Sequence, residues 1–107
     1  ILDEGLEALA DSPYLENLEV LNINHNDIGD DGAVALANSV NLPKLKIVTM
    51  FGNVVGDRGA QAFANSPQSK KYVKLDLFKN QYTDIGYKAL TESENLKNCE
   101  ELEVYRD

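Results

Sequence analysis

The amino-acid sequence predicts an α/β repeat fold: a right-handed solenoid of strand–turn–helix units, with a parallel sheet on its concave face and helices on its convex face. Three observations carry that prediction. Equivalent residues recur in columns 27 positions apart, as in Leu21, Val48, Leu75 and Leu102. Each unit changes its hydrophobic rhythm halfway, from the period of a strand to that of a helix. No insertion breaks the phase across the 107 residues.

The elements follow in order within each unit. Leu21 and Ile23 alternate with Val20, Asn22 and Asn24, which is strand spacing, and the same alternation returns at 47–51, 74–78 and 101–105. Ile23, Met50, Leu77 and Val104 form the second apolar column, and Asn26, Asn53, Asn80 and Asp107 the column after it. Asp3, Asp30, Asp57 and Asp84 are expected to be helix N-caps, since a carboxylate accepts from exposed backbone N–H groups. Behind them Ala33, Leu36 and Ala37 sit at helical spacing, and Leu9, Leu36, Phe63 and Leu90 share a column. Gly5, Gly32, Gly59 and Gly86 recur just inside these helices. A helical glycine costs about 1 kcal/mol against alanine, so its recurrence implies a crowded contact with the neighbouring unit. Ser12, Ser39, Ser66 and Ser93 complete the pattern. Stacked side by side, the units turn columns into ladders, each buried Leu, Ile or Val contributing roughly 1.5–3 kcal/mol.

The stretch Leu18–x–x–Leu21–x–Ile23–x–x–Asn26–x–Ile28 resembles the leucine-rich-repeat motif, as do Leu45 to Val55 and Tyr72 to Tyr82. The second half of the unit is similar to the ribonuclease-inhibitor-like class, and Gly32–Ala33–Val34–Ala35–Leu36–Ala37 is close to its GALA variant. The resemblance covers essentially the whole chain and recurs in phase. It implies a true helix on the convex side, and an asparagine ladder to turn backbone for which Asn26, Asn53 and Asn80 fit. It also implies protein recognition through the concave surface.

Residues 1–107 are expected to form a single domain of about three and a half repeats. Neither end carries a polar cap, because Ile1 and Leu2 begin inside a unit and Asp107 stops at the ladder position. A fragment of a longer array is the expectation, with end-to-end association through the uncapped ends as a further one. Ser69 replaces the leucine of Leu15, Leu42 and Leu96 and precedes Lys70 and Lys71, so that connection is expected to be looser. Thr83 replaces Gly29 and Gly56, and Ile85 stands where Asp31 and Arg58 do, so the third turn is expected to be reshaped.

A net charge of −8 disfavours nucleic acid and anionic membranes as partners, and the basic cluster Lys70, Lys71 and Lys74 is too local to reverse that. Cys99 is the single cysteine, and neither a signal peptide nor a membrane-length apolar run is visible. These features favour a cytoplasmic location, although a chain opening on Ile1 carries no targeting information of its own.

Four columns are expected to point outward from the sheet: Val20, Ile47, Lys74 and Glu101; Asn22, Thr49, Asp76 and Glu103; Asn24, Phe51, Phe78 and Tyr105; and His25, Gly52, Lys79 and Arg106. The second and third are the candidate partner-binding residues. Phe51, Phe78 and Tyr105 read either as interface anchors or as cross-strand pairs, and anchors are preferred because aligned exposed aromatics are uncommon on a monomer. Asp76, Glu101 and Glu103 read first as solvated edge charges and second as steering for a basic partner. His25 lacks the companions of a metal or acid–base site, and Cys99 falls in the apolar column of Leu18, Leu45 and Tyr72. The stretch Asn24 to Gly29 fails as a calcium loop, and Gly52 to Gly56 lacks the ending of a phosphate loop. No catalytic residue, metal or cofactor is therefore expected. The preferred function is a protein–protein interaction module. The alternative is a run of structural spacer repeats within a larger effector, regulatory or signalling protein. Some ribonuclease-inhibitor-like repeat proteins act on small GTPases, but no residue here matches a catalytic role.

Overall fold

A computed structural model describes residues 1–104. Along the chain run α1 (Asp3–Ala10), β1 (Val20–Asn22), α2 (Asp30–Ala37), β2 (Ile47–Thr49), α3 (Asp57–Asn65), a 3₁₀ helix (Pro67–Lys71), β3 (Lys74–Asp76), α4 (Asp84–Thr91) and β4 (Glu101–Glu103). The strands form one parallel sheet in the order β1-β2-β3-β4. Leu21 pairs with Val48, Val48 with Leu75, and Leu75 with Leu102. Helices and strands thus alternate in an α/β repeat arrangement, and Leu36, Phe63 and Leu90 of the helices share one core with Val48, Met50, Leu75 and Leu77 of the sheet side. Phe63, Val48, Leu75 and Leu77 are wholly buried.

The strands are shorter than the alternation suggests, three residues each. His25, Gly52 and Lys79 adopt left-handed backbone, with φ of 57°, 74° and 61°. They turn the chain immediately after the strand, so this column and the one before it, Asn24, Phe51 and Phe78, belong to turns instead of strands. Parallel pairing nevertheless continues through the turn, with His25 N–H donating to Phe51 C=O at 2.9 Å and Gly52 N–H to Phe78 C=O at 3.0 Å. Gly52 has a second reason to be glycine, since a Cβ there would fall on the His25 ring.

The aspartate column does not cap its own helices. Asp3, Asp30, Asp57 and Asp84 are the first helical residues, and the N-cap positions are Leu2, Gly29, Gly56 and Thr83. The carboxylates of Asp3, Asp30 and Asp57 instead reach into the following unit. Asp3 Oδ1 accepts from Gly29 N–H at 2.8 Å. Asp30 Oδ1 accepts from Gly56 N–H at 2.8 Å and Gly59 N–H at 2.9 Å. Asp57 Oδ1 likewise accepts from Thr83 N–H at 2.7 Å and Gly86 N–H at 2.8 Å. Backbone N–H groups that a helix start leaves without a partner are satisfied in this way. The helical glycines follow from it: a Cβ on Gly59 would lie 2.9 Å from Asp30 Oδ1, and one on Gly86 2.7 Å from Asp57 Oδ1.

Two further ladders join the units. Asn53 donates to Ile23 C=O and Met50 C=O, both at 3.0 Å, while its Oδ1 accepts from Asn26 N–H at 2.8 Å and Ile28 N–H at 3.0 Å. Asn80 repeats the arrangement toward Met50 and Leu77 C=O and Val55 N–H. The ladder position Asp107 lies outside the described residues. On the other side, Ser39, Ser66 and Ser93 donate to Ala10, Ala37 and Ala64 C=O at 2.5–2.6 Å, which gives the serine column its purpose.

Both departures expected to loosen or reshape the chain turn out ordered. Ser69 is buried, and its hydroxyl donates to Phe63 C=O at 2.6 Å inside the 3₁₀ helix. Ser66 opens that helix by accepting from Gln68 N–H at 3.1 Å, and Lys71 Nζ donates to Leu42 C=O at 2.7 Å. The polar substitution replaces packing with backbone satisfaction instead of disorder. Thr83 keeps the backbone of Gly29 and Gly56, at φ −94°, ψ −166° against −106°, −156° and −98°, −160°. A negative φ suits any residue there. The Thr83 hydroxyl also donates to Asp57 Oδ2 at 2.7 Å and accepts from Ile85 N–H at 3.3 Å.

Candidate functional site

The sheet face turned away from the helices is built by the strand residues that flank the buried column. Val20, Asn22 and Glu101 are exposed, while Ile47, Thr49, Lys74, Asp76 and Glu103 are half-buried. Beyond the strands the turn row begins with Asn24 and continues through Phe51 and Phe78, all half-buried. Tyr105, expected to close this row, lies outside the described residues.

Phe51 and Phe78 meet at 5.8 Å between ring centroids, tilted by 43°. His25 approaches Phe51 edge-on at 5.1 Å, and Lys79 Nζ stands 5.4 Å from the Phe78 centroid. Both the stacking contact and a partly open ring surface therefore exist together. Polar neighbours fix the backbone beneath the rings. Asn24 Oδ1 accepts from Phe51 N–H at 2.7 Å, and Asp76 Oδ1 from Phe78 N–H at 3.0 Å. Asn22 Oδ1 makes the corresponding bond to Asn24 N–H at 3.3 Å. At Thr49, the intervening member of that column, the hydroxyl is buried without a hydrogen-bond partner among the described residues, because Asn24 already holds the Phe51 amide.

Charge is unevenly placed on this face. Lys74 Nζ lies 3.7 Å from Glu101. Asp76 and Glu103 are register partners on adjacent strands, and neither makes an ion pair among the described residues. At the start of the sheet Lys46 pairs with Glu19 at 2.9 Å and holds its carboxyl below the usual range through that hydrogen bond.

The structure thus brings Asn22, Asn24, Thr49, Phe51, Asp76, Phe78 and Glu103 onto one continuous surface. It also adds His25 and Lys79 around the rings, which the sequence placed in the adjacent column without a contact. Cys99 is half-buried against the core, and its thiol is pushed up chiefly by burial. A second exposed apolar region was not singled out in the sequence: Tyr14 and Val40, 89% and 72% exposed, beside a notch lined by Pro13, Glu16, Asn41 and Pro43. Its only sequence signal is the recurrence of Pro13, Val40 and Pro67 in one column. Among the described residues no helix is long and apolar enough to cross a membrane, and no group of His, Cys, Asp or Glu is arranged to hold a metal ion.

A family model described as Leucine Rich repeat matches residues 14–37 and 41–64, which carry β1, α2, β2 and most of α3. No curated protein matches the chain.

Proposed function

We propose that the chain, whose residues 14–37 and 41–64 match the leucine-rich-repeat family model, is a recognition module binding a protein partner on the concave face of its sheet. Repeats that stack only on their neighbours build extended concave surfaces suited to such binding. The reading extends the repeats to a right-handed solenoid of the ribonuclease-inhibitor-like class, with a 27-residue unit running through the whole chain. It assigns no catalytic step to the protein. An acidic chain of net charge −8 suits a protein partner better than nucleic acid or an anionic membrane.

The observation that supports it most is the Phe51–Phe78 row, partly open at the edge of the outer sheet face. Asn24 and Asp76 already hold the backbone under these rings, so little ordering cost remains to be met on binding. Large aromatics in such positions dominate protein interfaces. The test is affinity capture from lysate of the protein's own source, read by mass spectrometry, with the wild type and the Phe51→Ala/Phe78→Ala variant side by side. Loss of at least about tenfold of the captured partner with a cooperative melt retained is the expected result. Undiminished capture by the double variant removes the proposed site.

A further inference from the structure

The outer sheet face is divided into two chemically different halves. Over β1 and β2 it offers Val20, 52% exposed, with Ile47 and the edge ring of Phe51. Over β3 and β4 it is charged, and there Lys74 already has Glu101 for a partner. Asp76 and Glu103 are register partners on strands about 4.8 Å apart at normal spacing, and among the described residues neither has an ion-pair partner. Like charges facing one another across a strand pair destabilise a sheet. Both residues are half-buried, where salt screens less than at an exposed surface.

Resting on the concave-face reading above, we infer that the partner segment is basic: an arginine or lysine enters between Asp76 and Glu103 while an adjoining apolar side chain lies on Val20, Ile47 and Phe51. Four features support this occupant. The pair of carboxylates, without an ion pair among the described residues, complements a cation in sign. The neighbouring Phe78 ring already draws a cation, Lys79, to 5.4 Å from its centroid. The net charge of −8 steers positively charged segments toward the protein from a distance. Finally, the apolar ledge and the carboxylate pair lie about two strand spacings apart, roughly 10 Å, a span that one short segment covers. Arginine fits best, because its planar fork meets a carboxylate with two donors and stacks on an aromatic face.

The test uses random dodecapeptides displayed on phage and selected on the full chain, followed by titration of the enriched peptides as synthetic probes. Two variants are compared with the wild type, Asp76→Asn/Glu103→Gln and Phe51→Ala/Phe78→Ala. The amide pair keeps the shape of both side chains, and the Asp76→Asn change retains a side-chain oxygen able to accept from Phe78 N–H. The expected result is enrichment of Arg or Lys close to an apolar residue. Affinity should drop at least about tenfold in the amide variant and weaken in raised salt, while the thermal midpoint of the amide variant is unchanged or higher. Peptides without basic residues, or indifferent to the amide variant yet lost on the phenylalanine variant, overturn the inference and leave the concave site standing. Peptides that bind all three proteins alike overturn both. Failure to enrich any peptide also counts against the inference, since a preorganised pair of anchors should select one.

Discussion

Asn53 uses all the hydrogen-bonding capacity of its amide, with both donors and a doubly accepting oxygen directed at backbone of its own and the preceding unit. At 4% exposure water cannot take over those partners. Asn53→Ala is therefore expected to cost about 3–5 kcal/mol, measured by urea denaturation with an unchanged m-value, because several buried backbone groups lose their mates at once. Tyr72 is the opposite case. Its hydroxyl is buried with no partner among the described residues, and desolvation pushes its ionisation far above the ordinary value of 10.0. A group whose folded pKa is raised contributes stability in full below the unfolded value and loses it as pH climbs beyond. Tyr72→Phe should gain about 1 kcal/mol near neutral pH and remove the part of the alkaline stability loss, expected above about pH 10, that comes from this hydroxyl. Denaturation curves at neutral and alkaline pH compare the two. The column made the burial of Tyr72 legible beside Leu18 and Leu45, but no column reveals that a hydroxyl lacks an acceptor.

At the element scale, α3 and α4 are each started by a carboxylate from the unit before. Asp30 belongs to α2, yet its contacts are to Gly56 and Gly59 at the start of α3. Asp30→Ala is expected to cost about 1–2 kcal/mol. Amide hydrogen exchange should then quicken at Gly59 while Ala33, bonded to Gly29 C=O within its own unit, keeps its protection. Sequence placed the aspartates at the right ends of the right helices but not their direction, since every unit offers the same spacing to its own helix and to the next. It also misjudged Ser69, whose hydroxyl found Phe63 C=O, and Thr83, whose position never required glycine. The left-handed turn was hidden for a related reason: His25 and Lys79 occupy two of its described positions, and only Gly52 advertises it. That turn carries the aromatic row, so the candidate residues were legible as a column while their seat at the strand end was not.

Across the whole molecule, order in the sheet follows order in the chain, and each strand meets only its sequence neighbours. The column Leu21, Val48, Leu75 and Leu102 lies side by side as alignment of the sequence with itself predicts, because apolar strand residues have one face to bury and a slip of register would expose it. Leu75 is wholly buried between β2 and β4. Leu75→Ala should cost about 2–5 kcal/mol, and circular dichroism and tyrosine fluorescence should still report one coincident transition, since a weakened middle unit takes both neighbours with it. The forward-reaching carboxylates have a consequence for anyone who recombines such units. A splice at a helix start separates donor from acceptor, so a transplanted cassette folds well only where an upstream aspartate meets a small or hydroxyl-bearing junction residue. Excising residues 30–56 preserves that match, placing Gly29 and Gly59 before Asp3, whereas a cut one residue shorter or longer leaves the latch without its keeper.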